Sequence, residues 1–270
     1  MIAYDEIELR DLLTLEQLDD NEFRANLVFD EEWKLYGGQV AAQALLAAGR
    51  TVDVERRPHS FHGYFLRPGS ASLPTRFEVF RDRDGGSFSA RRVVAVQEGK
   101  VIFNASMSFQ RPDESPVHQV PTMPATTPGE GEYLPLVRLF SCEGRRPAQP
   151  EYEGADPGAM AIVPVRYWTR CTDSSFAADP LLDACAITYL SDMSTGLAPF
   201  IRDGWHSSSS LDHAIWFHHP GATGDWILNE LQPVTTSGGR GTYTGQMFRP
   251  DGLLVASFAQ ECLYRHTDPR

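Results

Sequence analysis

Three polar side chains in the second half of the chain stand in otherwise apolar surroundings, and their types fit one kind of chemistry. Asp192 follows Tyr189 by three residues and Cys185 by seven, a spacing that projects it from the apolar face of a helix. A carboxylate there costs free energy unless it is hydrogen-bonded. Desolvation raises its pKa, and donors to its ionised form lower it. Such a group is a candidate general base, set against the plainer reading of a helix-end carboxylate in water. Ser210 closes the run Ser207-Ser208-Ser209-Ser210 and opens a strand-like stretch in which it alternates with Asp212. Its hydroxyl can orient a water. It is no nucleophile elbow, because the chain has no G-x-S-x-G; Gly85-Gly86-Ser87-Phe88-Ser89 fails at its last position. Gln260 lies in Ala256-Ser257-Phe258-Ala259-Gln260-Glu261-Cys262. Its amide offers a donor and an acceptor within an apolar strand, unless it is the outward-facing polar residue of an alternating one.

Other groups carry less. His213, His218 and His219 are close in sequence, but on a strand His213 and His219 face one way and His218 the other. No second cluster of ligand-type residues stands at metal spacing, so no metal is expected. Gly239-Arg240-Gly241 lacks the further glycine of a phosphate loop, and there is no G-K-[ST]. Arg67 and the pair Arg91-Arg92 are the best local cations, and in a strand Arg91 and Arg92 point to opposite faces.

A net charge of −12 argues against non-specific nucleic-acid binding. An anionic substrate therefore needs a local basic patch. Arginine supplies nearly all the positive charge, since Lys34 and Lys100 are the lysines. The cysteines Cys142, Cys171, Cys185 and Cys262 form no C-x-x-C and read as free thiols of a reducing, cytoplasmic setting. The first twenty residues hold Asp5, Glu6, Glu8, Arg10 and Asp11, so no signal peptide is expected. No apolar run approaches the roughly 20 residues of a membrane helix, so no membrane insertion is expected.

The elements that must position these groups repeat. His59 to Gly69 returns, altered, as Leu211 to Gly221: Phe65, Pro68 and Gly69 recur as Phe217, Pro220 and Gly221, 152 positions on. A strand-like run, a Gly/Ser cluster, another run, a Gly turn and a last run follow each copy, which marks two similar modules. In the first, Leu12, Leu13, Leu15 and Leu18 predict a short amphipathic helix, and Phe23, Leu27 and Phe29 a strand. Gly37-Gly38 opens an Ala-rich helix over Gln39–Ala48 that Gly49 closes. Strands are predicted at Ser60–Leu66, Thr75–Arg81, Ser87–Gln97 and Val101–Gln110. Residues 113–158 are a proline-rich linker, with a helical turn near Leu136–Phe140. In the second module a strand is predicted at Ile162–Thr169, then a helix opened by Asp179-Pro180 with Leu182, Cys185, Ala186, Tyr189 and Met193 on its apolar face. Strands follow at Ser209–Phe217, Trp226–Val234, Gly241–Arg249 and Leu253–Tyr264. The fold class is α+β, a helix on an antiparallel sheet built twice: residues 1–112 and 159–270, joined by 113–158.

Long motifs in this order resemble the type II acyl-CoA thioesterases, the TesB-like family of double hotdog proteins. They are Tyr36-Gly37-Gly38-Gln39-Val40-Ala41-Ala42-Gln43-Ala44-Leu45, His59-Ser60-Phe61-His62 through Phe65-Leu66-Arg67-Pro68-Gly69, and Ser87-Phe88-Ser89-Ala90-Arg91-Arg92-Val93. In the second half they are Tyr189-Leu190-Ser191-Asp192, Leu211-Asp212-His213 with Trp216-Phe217-His218, and Asp251 to Ser257 with Gln260-Glu261. The resemblance spans residues 22 to 265, with poor agreement in the linker and over 160–185. It implies two hotdog units and a catalytic Asp, Thr and Gln that jointly hold the attacking water. Asp192 and Gln260 match the Asp and the Gln. Ser210 stands where the family has Thr, keeping the hydroxyl and losing the methyl that fixes its rotamer.

The expected activity is hydrolysis of acyl-CoA to fatty acid and CoA, without cofactor or metal. Asp192 is the base and Ser210 and Gln260 orient the water. Gly37 and Gly38, at a helix N-terminus, are candidate donors to the oxyanion, and His62 and Arg91 are further candidate substrate-binding residues. Mapping the first helix onto the second without a gap places Val40 at the Asp192 position, and Met107 falls near the position of Gln260; one active site per chain is expected. Two alternatives stand beside this reading. A hotdog hydratase or dehydratase would use His62 or His213 as acid and base, and a non-catalytic acyl-CoA-binding module would need none of these groups. A homo-oligomer is expected by analogy with hotdog sheets that pair edge to edge.

Overall fold

A computed structural model describes residues 7–29, 33–135 and 140–268. The Ala-rich segment forms helix α2 (Gly37–Gly49), after a short α1 (Leu9–Leu12), β1 (Glu16–Asp19) and β2 (Glu22–Ala25). Small side chains let α2 be buried on every side from Gly38 to Gly49. The α1 helix is shorter than its leucines predict, and Leu15 and Leu18 fall outside it. Only Phe23 of the first predicted strand is in β2. Strands β3 (Arg57–Phe65), β4 (Thr75–Asp84), β5 (Phe88–Gln97) and β6 (Lys100–Gln110) follow as predicted.

The proline-rich stretch holds β7 (Glu132–Tyr133) and β8 (Cys142–Arg146), which extend the sheet beyond β9 (Arg166–Cys171). The turn expected near Leu136–Phe140 lies largely outside the described residues. Ile162 belongs to α3 (Pro157–Ile162), not to the following strand, because the Asp156 carboxylate accepts from the Gly158 N–H and Pro157 sits at the first helical position, which favours a helical turn. Helix α4 (Pro180–Ser191) starts as its sequence dictates: the Asp179 carboxylate accepts from the N–H groups of Leu181 and Leu182 at 2.9 and 3.3 Å. It is buried all round from Asp183 to Ser191, wider than a 3–4 stripe, because α2 and the sheet enclose it together. The two helices run antiparallel in close contact. A Cβ on Gly38 would lie 2.7 Å from the Tyr189 carbonyl, and one on Gly49 would lie 2.3 Å from Leu181 Cδ1.

The predicted strand 209–217 is two strands, β10 (Trp205–Ser210) and β11 (Asp212–Phe217), broken at Leu211. β12 (Ile227–Ser237), β13 (Arg240–Phe248) and β14 (Leu254–His266) complete the chain. Among the described residues all pairings are antiparallel in one sheet, in the order β1-β2-β4-β5-β6-β3-β11-β14-β13-β12-β9-β8-β7, with β10 on β14. This is a double hotdog. At its centre His62 of β3 lies opposite Ala214 of β11. Those residues are 152 apart, the repeat offset, so a pseudo-twofold axis passes between them. Among the described residues no helix is long and apolar enough to cross a membrane.

The axis corrects one equivalence and supports another. Asp192 is the C-cap of α4, and the C-cap of α2 is Arg50, so Arg50 and not Val40 is its counterpart. The ungapped mapping fails because the second module has a longer connection from helix to strand, including the turn Ala198–Phe200. Met107 lies opposite Phe61 on β6 and β3, and Gln260 lies one step beyond the Ala214–Ala259 pair, opposite His213. Met107 is therefore the counterpart of Gln260.

Candidate active site

Three elements of the second half and one of the first meet at Asp192. The helix α4 ends there, so the carboxylate leaves the helix axis toward the sheet. Ser210 is the last residue of β10, and the Leu211 break turns its hydroxyl inward from an edge that pairs with β14 alone. Gln260 is buried on the inner face in the middle of β14. Gln260 Nε2 donates to Asp192 Oδ1 at 2.8 Å and to Ser210 Oγ at 2.5 Å, and Ser210 Oγ donates to Asp192 Oδ1 at 3.3 Å. The structure thus brings together all three residues that the sequence singles out.

The first half adds the N-terminus of α2. Backbone Gly38 is among the groups that draw the Asp192 pKa down. A Cβ on Gly37 would lie 2.6 Å from Asp192 Oδ2 and 3.0 Å from Phe65 Cε1, so only glycine lets the carboxylate approach the first turn. Burial pushes the Asp192 pKa up to about 6, against the pull of the donors Gln260, Gly38 and Ser210. Tyr36, which sequence reasoning passed over, caps α2 and donates its hydroxyl to the Tyr189 carbonyl at 2.8 Å, pinning the end of α4. Its place directly before the Gly-Gly helix start was the available signal. Burial and the Asp192 charge push Tyr36 and Tyr167 up; burial, Cys262 and Asp192 do the same to Tyr243, so all three stay neutral.

Asp192 and Ser210 open on a cleft of about 770 Å³ whose walls include Gly37, Phe65, Arg67 and Lys34. Two expected substrate contacts are elsewhere. His62 is on the outer face of the sheet, its ring edge-on to Trp216 with centroids 5.1 Å apart, because alternation along β3 sends its side chain away from the helices. Arg91 is 1% exposed, at the opposite end of α2 from Asp192. Its guanidinium is used up by Thr51 Oγ1 at 2.8 Å, the Thr51 and Arg83 carbonyls at 3.0 Å and Asp84 Oδ1 at 2.8 Å. It is a structural cation that ties the end of α2 to the β4–β5 hairpin. His213 is buried, its Nε2 2.7 Å from Ser191 Oγ, and burial lowers its pKa to about 4.

The chain matches two family models in succession, the acyl-CoA thioesterase N-terminal domain over residues 29–110 and the C-terminal domain over residues 112–264. The chain belongs to the acyl-CoA thioesterase family. Acyl-coenzyme A thioesterase 8 of Homo sapiens is 34% identical over 94% of this chain and 88% of its own length. Acyl-CoA thioesterase 2 of Haemophilus influenzae is 32% identical over 95% of this chain and 96% of its own. The crystal structure of acyl-CoA thioesterase II TesB2 from Mycobacterium marinum superposes with a TM-score of 0.80 at 36% identity, covering 97% of this chain and 98% of that one. As an acyl-CoA thioesterase the chain is a hydrolase, and this excludes the non-catalytic alternative.

Proposed function

We propose that Asp192, Ser210 and Gln260 hold and activate the water that hydrolyses the acyl-CoA thioester. The observation that carries this reading is the Asp192 carboxylate at the cleft wall, bonded to Gln260 and Ser210 and with a pKa near 6. At neutral pH it is ionised, yet basic enough to take a proton in the transition state. The water attacks the thioester carbonyl and Asp192 accepts its proton. The tetrahedral intermediate then expels the CoA thiolate, to which Asp192 can return the proton. A thiolate leaves readily, so no second acid is needed. Ser210 and Gln260 fix the carboxylate and the water, removing orientational entropy before attack. The Gly37 and Gly38 N–H groups, in the first turn of α2, are the helix-end donors for the oxyanion. Arg67 and Lys34 on the cleft wall are the cations available to the CoA phosphates.

Hydration of a 2-enoyl thioester has less support. It needs an acid and a base across C2–C3, and His62 lies on the outer face while His213 is held by Ser191. We place the module boundary near residue 112, where β6 has ended and the proline-rich segment begins. Exposed aromatic side chains on the outer face of the central strands, Tyr64 and Trp216, support a homo-oligomer, which light scattering tests. A cytoplasmic location rests on the four unpaired cysteines and is tested by fractionation.

Single-turnover hydrolysis in H2(18)O tests the mechanism. Direct attack by water puts the label into the first acid released. An unlabelled first product would mean that a carboxylate oxygen of the enzyme attacked instead. Hydration of a 2-enoyl-CoA with no thiol release would favour the hydratase.

A further inference from the structure

A glutamine amide can present either nitrogen or oxygen to a given neighbour. Only one orientation of Gln260 serves a carboxylate, and the surroundings of its other end decide which it takes. We infer that Ser191 and His213 are positioning residues that lock the Gln260 amide nitrogen toward Asp192 and Ser210 through one directed chain of hydrogen bonds. This rests on the proposed role of Asp192 as base.

His213 on β11 and Gln260 on β14 each lie one step beyond the Ala214–Ala259 pair of the antiparallel ladder, and both are buried, at 1% and 2% exposure. Opposite residues on one face have their Cβ atoms about 5 Å apart, so the two side chains are neighbours. His213 Nδ1 and Gln260 Oε1 are both buried, and neither has another hydrogen-bond partner among the described residues. The Gln260 amide favours a proton on the ring, as an acceptor facing Nδ1 would. At its far side His213 Nε2 is 2.7 Å from Ser191 Oγ, one residue before Asp192, and the Phe258 ring packs beside the imidazole with centroids 5.5 Å apart.

The donors can be assigned by elimination. Ser191 Oγ can donate to the Thr188 carbonyl at 3.0 Å or to His213 Nε2. If it donates to Thr188, the imidazole proton must sit on Nε2. The bare Nδ1 then faces the bare Gln260 Oε1, two buried lone pairs with no proton between them, which is costly. If it donates to His213, Nδ1 carries the proton, Oε1 accepts it, and both Nε2 protons of Gln260 are free for Asp192 and Ser210. The chain runs Ser191 to His213 to Gln260 to Asp192, closing a ring on the residue next to its start. The other half of the fold supports the assignment. Phe61 and Met107 stand at the His213 and Gln260 positions there, so this cross-strand pair is polar only in the half that carries Asp192.

Among the described residues, the titratable groups that feel the Asp192 charge are Tyr36 from the α2 cap, Tyr167 from β9, Tyr243 from β13 and Cys262 from β14. Burial pushes all four up, Cys262 to about 12, so they stay neutral across the working range. Gly63 of β3, opposite His213 on its other side, brings no charge. A change in the acidic limb of activity therefore reports on the Gln260 contact.

The test compares wild type with His213→Phe, His213→Asn and Ser191→Ala. In His213→Phe the amide is free to invert and set Oε1 against the carboxylate. The expected result is a fall in kcat of about tenfold or more with KM nearly unchanged, and an acidic limb moved above pH 6. In His213→Asn the side-chain N–H stands near the place of Nδ1, and most of kcat and the limb should return. Imidazole nitrogen NMR of the wild type should show His213 as the neutral Nδ1–H tautomer. Nε2–H, or a folded His213→Phe enzyme with wild-type kcat and limb, overturns the inference. Should His213→Phe not fold, Ser191→Ala decides by the same two readings: an upward-moved limb supports it and an unmoved one overturns it. If Asp192→Asn keeps full activity, it is the assignment of the base that fails instead.

Discussion

Gln260 Nε2 lies 2.8 Å from Asp192 Oδ1, a bond that joins the middle of β14 to the C-cap of α4. Gln260 is the only one of the three groups that touches both others by its own donors. Gln260→Leu keeps the volume and removes both N–H groups. Its kcat should fall by about a hundredfold, with KM little changed, because the lost contacts orient the base and its water rather than hold the substrate. Steady-state release of CoA thiol, measured against acyl-CoA concentration, separates the two constants.

Ser210 is the hydroxyl with the longer bond to the carboxylate, at 3.3 Å. Ser210→Ala should lose about tenfold in kcat or more. Ser210→Thr restores the residue type of the resembling family and restricts the rotamer, so its kcat should equal or exceed wild type. A Thr variant as slow as the Ala variant would show that the β10 end has no room for the methyl.

The raised pKa of Asp192 makes the site costly to the fold. Between the unfolded value near 3.8 and the folded value of about 6, the folded state holds a proton that the unfolded state has lost. Stability therefore falls as pH rises through that window, and above pH 6 the full cost of about 3 kcal/mol applies. Asp192→Asn should raise the melting temperature at pH 8, and the gain should shrink toward pH 4. Wild-type kcat/KM should meanwhile rise with pH through about 6 and level off.

Arg91 gives the converse case. Arg91→Leu leaves the Thr51 and Arg83 carbonyls without their partner and should destabilise the fold by about 2–4 kcal/mol. The folded enzyme should keep its kcat/KM, since Arg91 lies at the far end of α2. Denaturant unfolding and kinetics on the same preparation check both halves.

These residues show where sequence was sufficient. Asp179-Pro180 marks its helix by local chemistry alone, and the Phe65–Gly69 motif returns at the offset that the pseudo-twofold axis imposes at His62 and Ala214. Asp192 was legible as a carboxylate on an apolar helix, but its donors come from β10, β14 and α2, contacts that no local spacing encodes. The break at Leu211 was invisible for the same reason: the alternation runs on, and what divides the strand is that β11 also pairs with β3 while β10 pairs only with β14. Strand periodicity places Arg91 and Arg92 on opposite faces without saying which is buried. Arg91 turned inward to structural partners, and Arg92 pairs outside with Asp82 at 2.8 Å.

The most direct test of the central claim is kcat for CoA release by Asp192→Asn beside wild type, on one acyl-CoA at pH 8. Asparagine keeps the shape and cannot accept the proton of water. The expected result is a loss of about a thousandfold or more in a folded variant of equal or higher melting temperature. Free thiol appearing equally fast in both enzymes would contradict the assignment of Asp192 as the base.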